Sequence, residues 1–311
     1  MSLSSGALSS GALSVDPLWP RAGSWPALAD VPTGQAVDLA LIGLPTWRTS
    51  LSATGAHATP AAVRDALRRY SLHVPGLEVE ALRFADAGDV AEPDGADGEQ
   101  RAIAAMREAA DRSRVTVAVG GDNSLTVPAA LGAWGERLPS AGLITLDAHH
   151  DLRDGVSNGS PVRRLVEAGL DGRRIVQIGI ADFANSAAYS RRAEELGITV
   201  VPRDALHGRP LDDVMAEALE IAGAAGGPVH VDLDVDVCDR SVAPGCPASV
   251  PGGLAAWELR RFARLAGASP LVHSIDIAEV DATSDADDQR TVRLAALLVL
   301  EAAAGLASRA R

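Results

Sequence analysis

Two short runs of acids carry the chemistry of this sequence. The first, Asp147-Ala148-His149-His150-Asp151, directly follows the apolar stretch 143–146. If the chain stays extended, alternation sets Asp147, His149 and Asp151 on one side, so two carboxylates and an imidazole converge. The second lies in and after the apolar stretch 229–233, where Asp232, Asp234 and Asp236 recur with period two. Acids that alternate inside apolar strands make a poor solvated face, because a buried, unpaired carboxylate is costly. A cation is the simplest compensation; the plain alternative is that single acids cap helices or pair with arginine. Oxygen ligands with one or two imidazoles suit Mn²⁺ better than a thiolate-selecting metal, and Mg²⁺ or Zn²⁺ less well. Two clusters on separate strand ends can share carboxylates between ions about 3.5 to 4 Å apart, as in binuclear hydrolytic sites, where a bridging water is hydroxide near neutral pH.

Such residues need strands to hold them at one edge. Short apolar runs at 37–43, 115–119, 143–146, 175–180, 198–201, 229–233 and 272–277 read as strands. Helical windows start at Thr59 and span 99–112, 161–168, 187–196, 211–224, 255–265 and 290–307. Near-continuous apolar strands alternating with helices predict an α/β fold of three layers, α/β/α, around a mostly parallel sheet. Ligands of such a sheet bind beyond the carboxyl ends of its strands. No linker divides the alternation, so residues 17–311 are expected to form one domain, preceded by a flexible tail at 1–16 in which SSGAL is repeated. Residues 290–307 are nearly apolar throughout and must be buried in the fold or at a subunit contact.

Composition narrows the function further. The chain has 311 residues and a net charge of -13, and all 28 of its basic residues are arginine. Without lysine there is no Schiff-base or P-loop lysine, and the acidic balance argues against binding nucleic acid or an anionic membrane. Cys238 and Cys246 lack a metal-ligand spacing and read as inert thiols in a cytoplasmic protein.

Four segments together resemble the ureohydrolases, the family of arginase, agmatinase and formimidoylglutamase. They are Gly120-Gly121-Asp122-Asn123-Ser124, the 147–151 segment, Asp232-Leu233-Asp234 and Ser274-Ile275-Asp276-Ile277-Ala278-Glu279-Val280. The resemblance implies an arginase-like fold with a binuclear manganese centre. In it Asp147 and Asp232 bridge both ions, His149 and Asp234 complete one site, and Asp151 helps hold the other and orients the nucleophile. Asn123 stands where most members have histidine. It is expected to coordinate through its carbonyl oxygen, a neutral and weaker donor that leaves that ion less tightly bound. Glu279 matches the acid that faces the guanidinium or formimino group.

Asn123, the pair His149-His150, the loop Ser157-Asn158-Gly159-Ser160-Pro161 and the segment 243–253 are most similar to formimidoylglutamase. That likeness implies hydrolysis of N-formimidoyl-L-glutamate to L-glutamate and formamide, a step of histidine degradation, with Asp151 and Glu279 catalytic. Arg153, Arg163, Asn158 and Ser160 flank the specificity loop and are candidate partners for the substrate carboxylates, against the plainer role of surface charge pairing. His57, His73, His150, His207 and His273 are read as structural. One alternative is a guanidino substrate such as agmatine, with release of urea. Another is a non-catalytic relative whose metal centre is weakened at Asn123. The family also implies a homo-oligomer, a trimer or hexamer, acting on a small molecule.

Overall fold

A computed structural model describes residues 16–309; the tail expected at 1–16 lies outside these except for Asp16. Eight strands form a single sheet in the order β2-β1-β3-β8-β7-β4-β5-β6, and every pairing is parallel. The strands are β1 (Val37–Leu44), β2 (Phe84–Asp89), β3 (Ser113–Gly120), β4 (Gly142–Leu146), β5 (Ile175–Ile180), β6 (Thr199–Pro202), β7 (Val229–Asp234) and β8 (Val272–Ala278).

Helices cover both faces. On one side pack α1 (Thr59–Leu67), α6 (Leu211–Ala222), α7 (Ala256–Ala268) and α8 (Arg290–Ala307); on the other lie α2 (Gly98–Asp111), α3 (Thr126–Trp134), α4 (Pro161–Ala168) and α5 (Ala187–Glu195). The apolar helix α8 finds its burial inside the chain itself, against α7 and α1. Its one buried acid, Glu301, is satisfied by Arg260 at 2.9 Å and Arg264 at 2.6 Å.

Two elements escaped the sequence pattern. The edge strand β2 reads FADAGD, with its last three residues exposed, so it carries no apolar run. Helix α3 is the opposite case: every residue but Leu131 is buried, and a helix buried all round has no amphipathic period to detect.

Alternation along the central strands sorts the side chains. On β7 the odd residues Val229, Val231 and Leu233 enter the core under α6, α7 and α8. The even residues, His230, Asp232 and Asp234, therefore face the α3 side, where the His230 ring stands edge-on to Trp134 at 6.1 Å. Thr145 on β4 and Ser274 and Asp276 on β8 share that face by register: Thr145 pairs with Asp232, Asp276 with Asp232, and Ser274 with His230. A polar ladder thus climbs one face of an otherwise apolar sheet toward its carboxyl edge.

Candidate active site

The carboxyl ends of the central strands β8, β7 and β4 meet at one cavity of about 400 Å³, and Asn123, after β3, reaches its acids Glu279 and Asp151 by hydrogen bonds. Its floor is formed by His149, Asp151, Asp234, Asp236 and Glu279. The β4–β7 register explains which acids arrive there. Thr145 lies beside Asp232, so continuing both chains sets Asp147 beside Asp234 and His149 beside Asp236. Contacts agree: His149 Nδ1 is 2.8 Å from Asp236 Oδ2 and 3.4 Å from Asp147 Oδ1. Among the described residues, Asp147, His149 and Asp236 offer ligand atoms all within 4.8 Å of one another, a metal-sized cluster.

This corrects the sequence reading by one step of the ladder. Asp236, which the period-two pattern contained but the ligand set implied by the resemblance left out, belongs with Asp147 and His149. Asp232 does not line the cavity; it sits two residues deeper, beside Asp276 in the strand register. Asp276 in turn takes a contact of 2.9 Å from His230 Nε2, and His230 Nδ1 lies 2.7 Å from Ser274 Oγ. His230 was not singled out from the sequence, and only its even position on β7 marks it as part of the ladder.

The upper cluster is electrostatically tense without a cation. Burial, reinforced by the Asp236 charge, pushes Asp147 up to about 7. Burial likewise drives Asp151 and Asp234 well above the usual carboxylate range, with neighbouring acids adding to it. Burial opposes charge on His149, yet the Asp236 and Asp147 carboxylates outweigh it and raise the imidazole to about 12. For Asp236 burial is again overcome, here by His149, and its carboxyl is held below the usual range. Asp147 Oδ2 has no hydrogen-bond partner at all. Buried oxygens crowded together, one of them orphaned and one imidazole holding a proton in their midst, are the donor set a hard divalent cation pair would satisfy.

Two of the site acids are held in left-handed backbone, Asp151 at φ 53° and Glu279 at φ 59°. Such strain costs about 1–3 kcal/mol per residue and persists only where surroundings impose it. Here the Glu279 N–H donates to Gly121 O at 2.9 Å. Gly121 can approach only because it lacks a Cβ, which would strike the Thr46 carbonyl.

Asn123 is at the site, but with its amide turned from the expected direction. Nδ2 donates to Asp151 Oδ2 at 2.5 Å, while Oδ1 accepts the Thr126 hydroxyl at 2.6 Å. In this arrangement Asn123 positions Asp151, and ligation through its carbonyl requires the amide to rotate half a turn. Glu279 is clamped from two sides: its Oε1 accepts Asn158 Nδ2 at 2.7 Å and the Asn123 N–H at 2.8 Å. Burial still raises its carboxyl to about 8.

The specificity loop divides its residues between substrate and scaffold. Asn158 and Arg153 line the cavity. Ser160 does not: it is fully buried, accepts Ser157 N–H at 3.0 Å and donates to Ser157 O at 2.7 Å, closing the turn. Arg163 is also withdrawn from the substrate role. Its Nε donates to Arg153 O at 2.6 Å, and its other nitrogens reach Gly155 O and Glu167. It anchors the loop that presents Arg153. His150 faces away from the cavity onto Gln177 Oε1 at 2.7 Å. The opposite wall, Phe183, Asn185, Ser186 and Tyr189, carried no sequence signal. Asn185 ties this wall to the acid segment, accepting His150 N–H at 3.0 Å and donating to Ala148 O at 2.8 Å. Cys238 and Cys246 are buried, free and, through burial, well above the usual thiol range.

An eight-stranded parallel sheet with acids at four strand ends defines a class, and sequence comparison agrees. The profile of the Arginase family matches residues 37–305, and the chain belongs to that family. Within it, the chain is similar to a formimidoylglutamase of Halalkalibacterium halodurans, 34% identical over 279 residues that cover 86% of this chain and 87% of that protein. The crystal structure of formimidoylglutamase from Bacillus subtilis matches with a TM-score of 0.87 at 29% identity, covering 97% of this chain and 96% of that one. A formiminoglutamase from Trypanosoma cruzi, solved with Mn²⁺, matches with a TM-score of 0.80 at 25% identity, covering 88% and 95%.

Proposed function

We propose that this protein hydrolyses N-formimidoyl-L-glutamate to L-glutamate and formamide, breaking the bond between the formimino carbon and the glutamate nitrogen. The observation that carries the substrate choice is Arg153. It lines a cavity floored by acids, and no hydrogen bond or ion pair engages its guanidinium among the described residues. An acid floor takes the cationic formimino end, and a free arginine at the wall takes a carboxylate. Agmatine would set a distal amine against that arginine, which disfavours it. The formimidoylglutamase relatives point the same way.

The ligand set we assign is Asp147, His149, Asp151, Asp234 and Asp236, with Asn123 beside Asp151. Two Mn²⁺ per subunit are proposed, the one on the Asn123 side held less tightly. When bound, such a pair supplies Lewis-acid charge that activates water and stabilises the charge developing in the transition state. His149 must surrender its proton to become a ligand. Asp151 accepts a hydrogen bond from Asn123, which fixes its orientation toward the reacting water. Glu279, fixed by Asn158 and the Asn123 N–H, pairs with the formimino nitrogen and keeps the carbon facing the acid floor. Asn185 and Ser186 add neutral donors on the opposite wall.

As its wider setting we propose one domain over residues 17–311, assembled as a homo-oligomer, trimer or hexamer, and working in the cytoplasm in histidine degradation. Among the described residues no helix is long and apolar enough to cross a membrane. The deciding experiment offers formimidoylglutamate, agmatine, guanidinobutyrate and arginine to the manganese-loaded protein. Formamide and glutamate from the first substrate alone are expected. Urea from any of the others would replace the proposal with a guanidino hydrolase, and no product at all with a non-catalytic relative.

A further inference from the structure

A second cavity, of about 440 Å³, opens where the segment after β6 meets the starts of α6 and α7. Arg203 lines it although only 8% of that residue is exposed. Its Nη2 donates to the Val237 carbonyl at 2.8 Å, but its Nε is buried with no partner, and no carboxylate forms an ion pair with it among the described residues. A guanidinium taken out of water without a counter-charge is costly, so an uncompensated one facing an open cavity calls for an anion.

Among the described residues no nearby acid forms an ion pair with Arg203, and those closest to it have other partners. Asp236 holds His149 at 2.8 Å, and Asp239 accepts the N–H of Ser241 at 2.8 Å and of Gly252 at 2.6 Å. On the cavity wall itself, Asp212 is paired with Arg261, and Glu258 accepts the Ala255 N–H at 2.8 Å. Meanwhile the first turn of the twelve-residue helix α6, at Leu211 and Asp212, opens onto the same space. Helix N-termini present unpaired N–H groups and a partial positive charge. Arg209 and Arg261 also line it but are paired with Glu217 and Asp212, which leaves Arg203 as the lining arginine without a carboxylate partner among the described residues.

We infer that the Arg203 cavity is a binding site for a small oxyanion, a phosphate or a carboxylate, separate from the catalytic cavity. Arg203 supplies the buried charge, the start of α6 the backbone donors, and Trp257, 63% exposed on the wall, an apolar flank for the ligand.

Trp257 also provides the readout. Manganese-loaded full-length protein is titrated with inorganic phosphate, and separately with glutarate, at constant ionic strength set by chloride. Emission is followed in the wild type and in Trp257→Phe as the blank. The expected result is a saturable change that depends on Trp257, with one of the two anions binding at least tenfold tighter than the other and so identifying the source. Arg203→Met should weaken that binding at least tenfold. Because a change at a buried arginine can disturb folding, Arg203→Lys, which keeps the charge, is measured beside it and should retain binding closer to wild type than Arg203→Met does. Absence of a saturable response to either anion overturns the inference. So does unchanged affinity in a folded Arg203→Met protein. If the cavity is instead filled by a carboxylate from a second copy of the chain, Arg203→Met will shift the oligomer toward smaller species and wild type will take up no anion, which also overturns it.

Discussion

The polar ladder on β7 has two halves that look alike in sequence and behave differently in the fold. Asp234 and Asp236 stand at the strand's carboxyl end, on the floor of an open cavity, where a cation can reach them. Asp232 and His230 lie on the same face, two and four residues lower, sealed between neighbouring strands. The lower half pairs only part of its polar groups, since Asp232 Oδ1 and Asp276 Oδ1 are buried without a hydrogen bond. His230 bridges Ser274 and Asp276, and burial together with the neighbouring Asp276 charge holds the Asp232 carboxyl well above the usual range. The upper half has too many acids for its single imidazole. The difference teaches that an alternating acid pattern in a strand marks a column, and that access from the sheet edge decides which rungs become a metal site.

The comparison breaks most visibly by removing one rung at a time. Asp234→Asn and Asp236→Asn should each lower kcat/KM by about a thousandfold, with manganese lost from the purified protein by elemental analysis. Asp232→Asn should cost about tenfold at most and retain its metal. Equal metal loss in all three variants would erase the distinction between the halves.

A smaller but still large effect is expected at the cavity wall. Arg153→Met should raise KM for formimidoylglutamate about 10- to 100-fold with kcat little changed, as for a lost charged hydrogen bond. Arg163→Met should instead disturb the loop and lower kcat and kcat/KM together. A pure KM effect from Arg163→Met would return it to the substrate.

Stability against pH in metal-free protein should move by less. Glu279 at about 8, Asp147 at about 7 and His149 at about 12 all hold protons more tightly folded than unfolded. The folded state therefore binds more protons between about pH 5 and 8, so stability must fall as pH rises through that window. The Tm of metal-free protein should drop by about 5 °C or more from pH 5.5 to 8. Added Mn²⁺ should reverse the trend, since ligation displaces those protons. A flat Tm for the metal-free protein would mean that the upper half is compensated without a metal.

The smallest effect is at Asn123. Asn123→His supplies an imidazole in place of an amide and should tighten the weaker ion about tenfold in a manganese titration. No change would show that residue 123 positions Asp151 without ligating.

Much of this was legible in the residues. The alternation of apolar strands with helices pointed to the α/β class, because a strand buried on both faces must be apolar along its length. Asp147, His149 and Asp151 stood out because acids and imidazole at the end of an apolar run have few bland uses, whereas Glu279 was marked by the family resemblance. Other parts were illegible for physical reasons. Helix α3 has no polar face, and β2 has no apolar one. Ser160 and Arg163 share a loop with Asn158 and Arg153, and only the turn geometry decides which side chains face the cavity.

The sequence by itself therefore determined the fold class, the period-two column of acids and the presence of an acidic floor for a cationic group. It could not determine where along that column the sheet ends. That depended on the pairing of Thr145 with Asp232, a register between strands more than eighty residues apart, which placed Asp234 and Asp236 at the edge and Asp232 beneath it. Local chemistry is written in the order of residues, but exposure is a property of neighbours, and neighbours are chosen by tertiary packing.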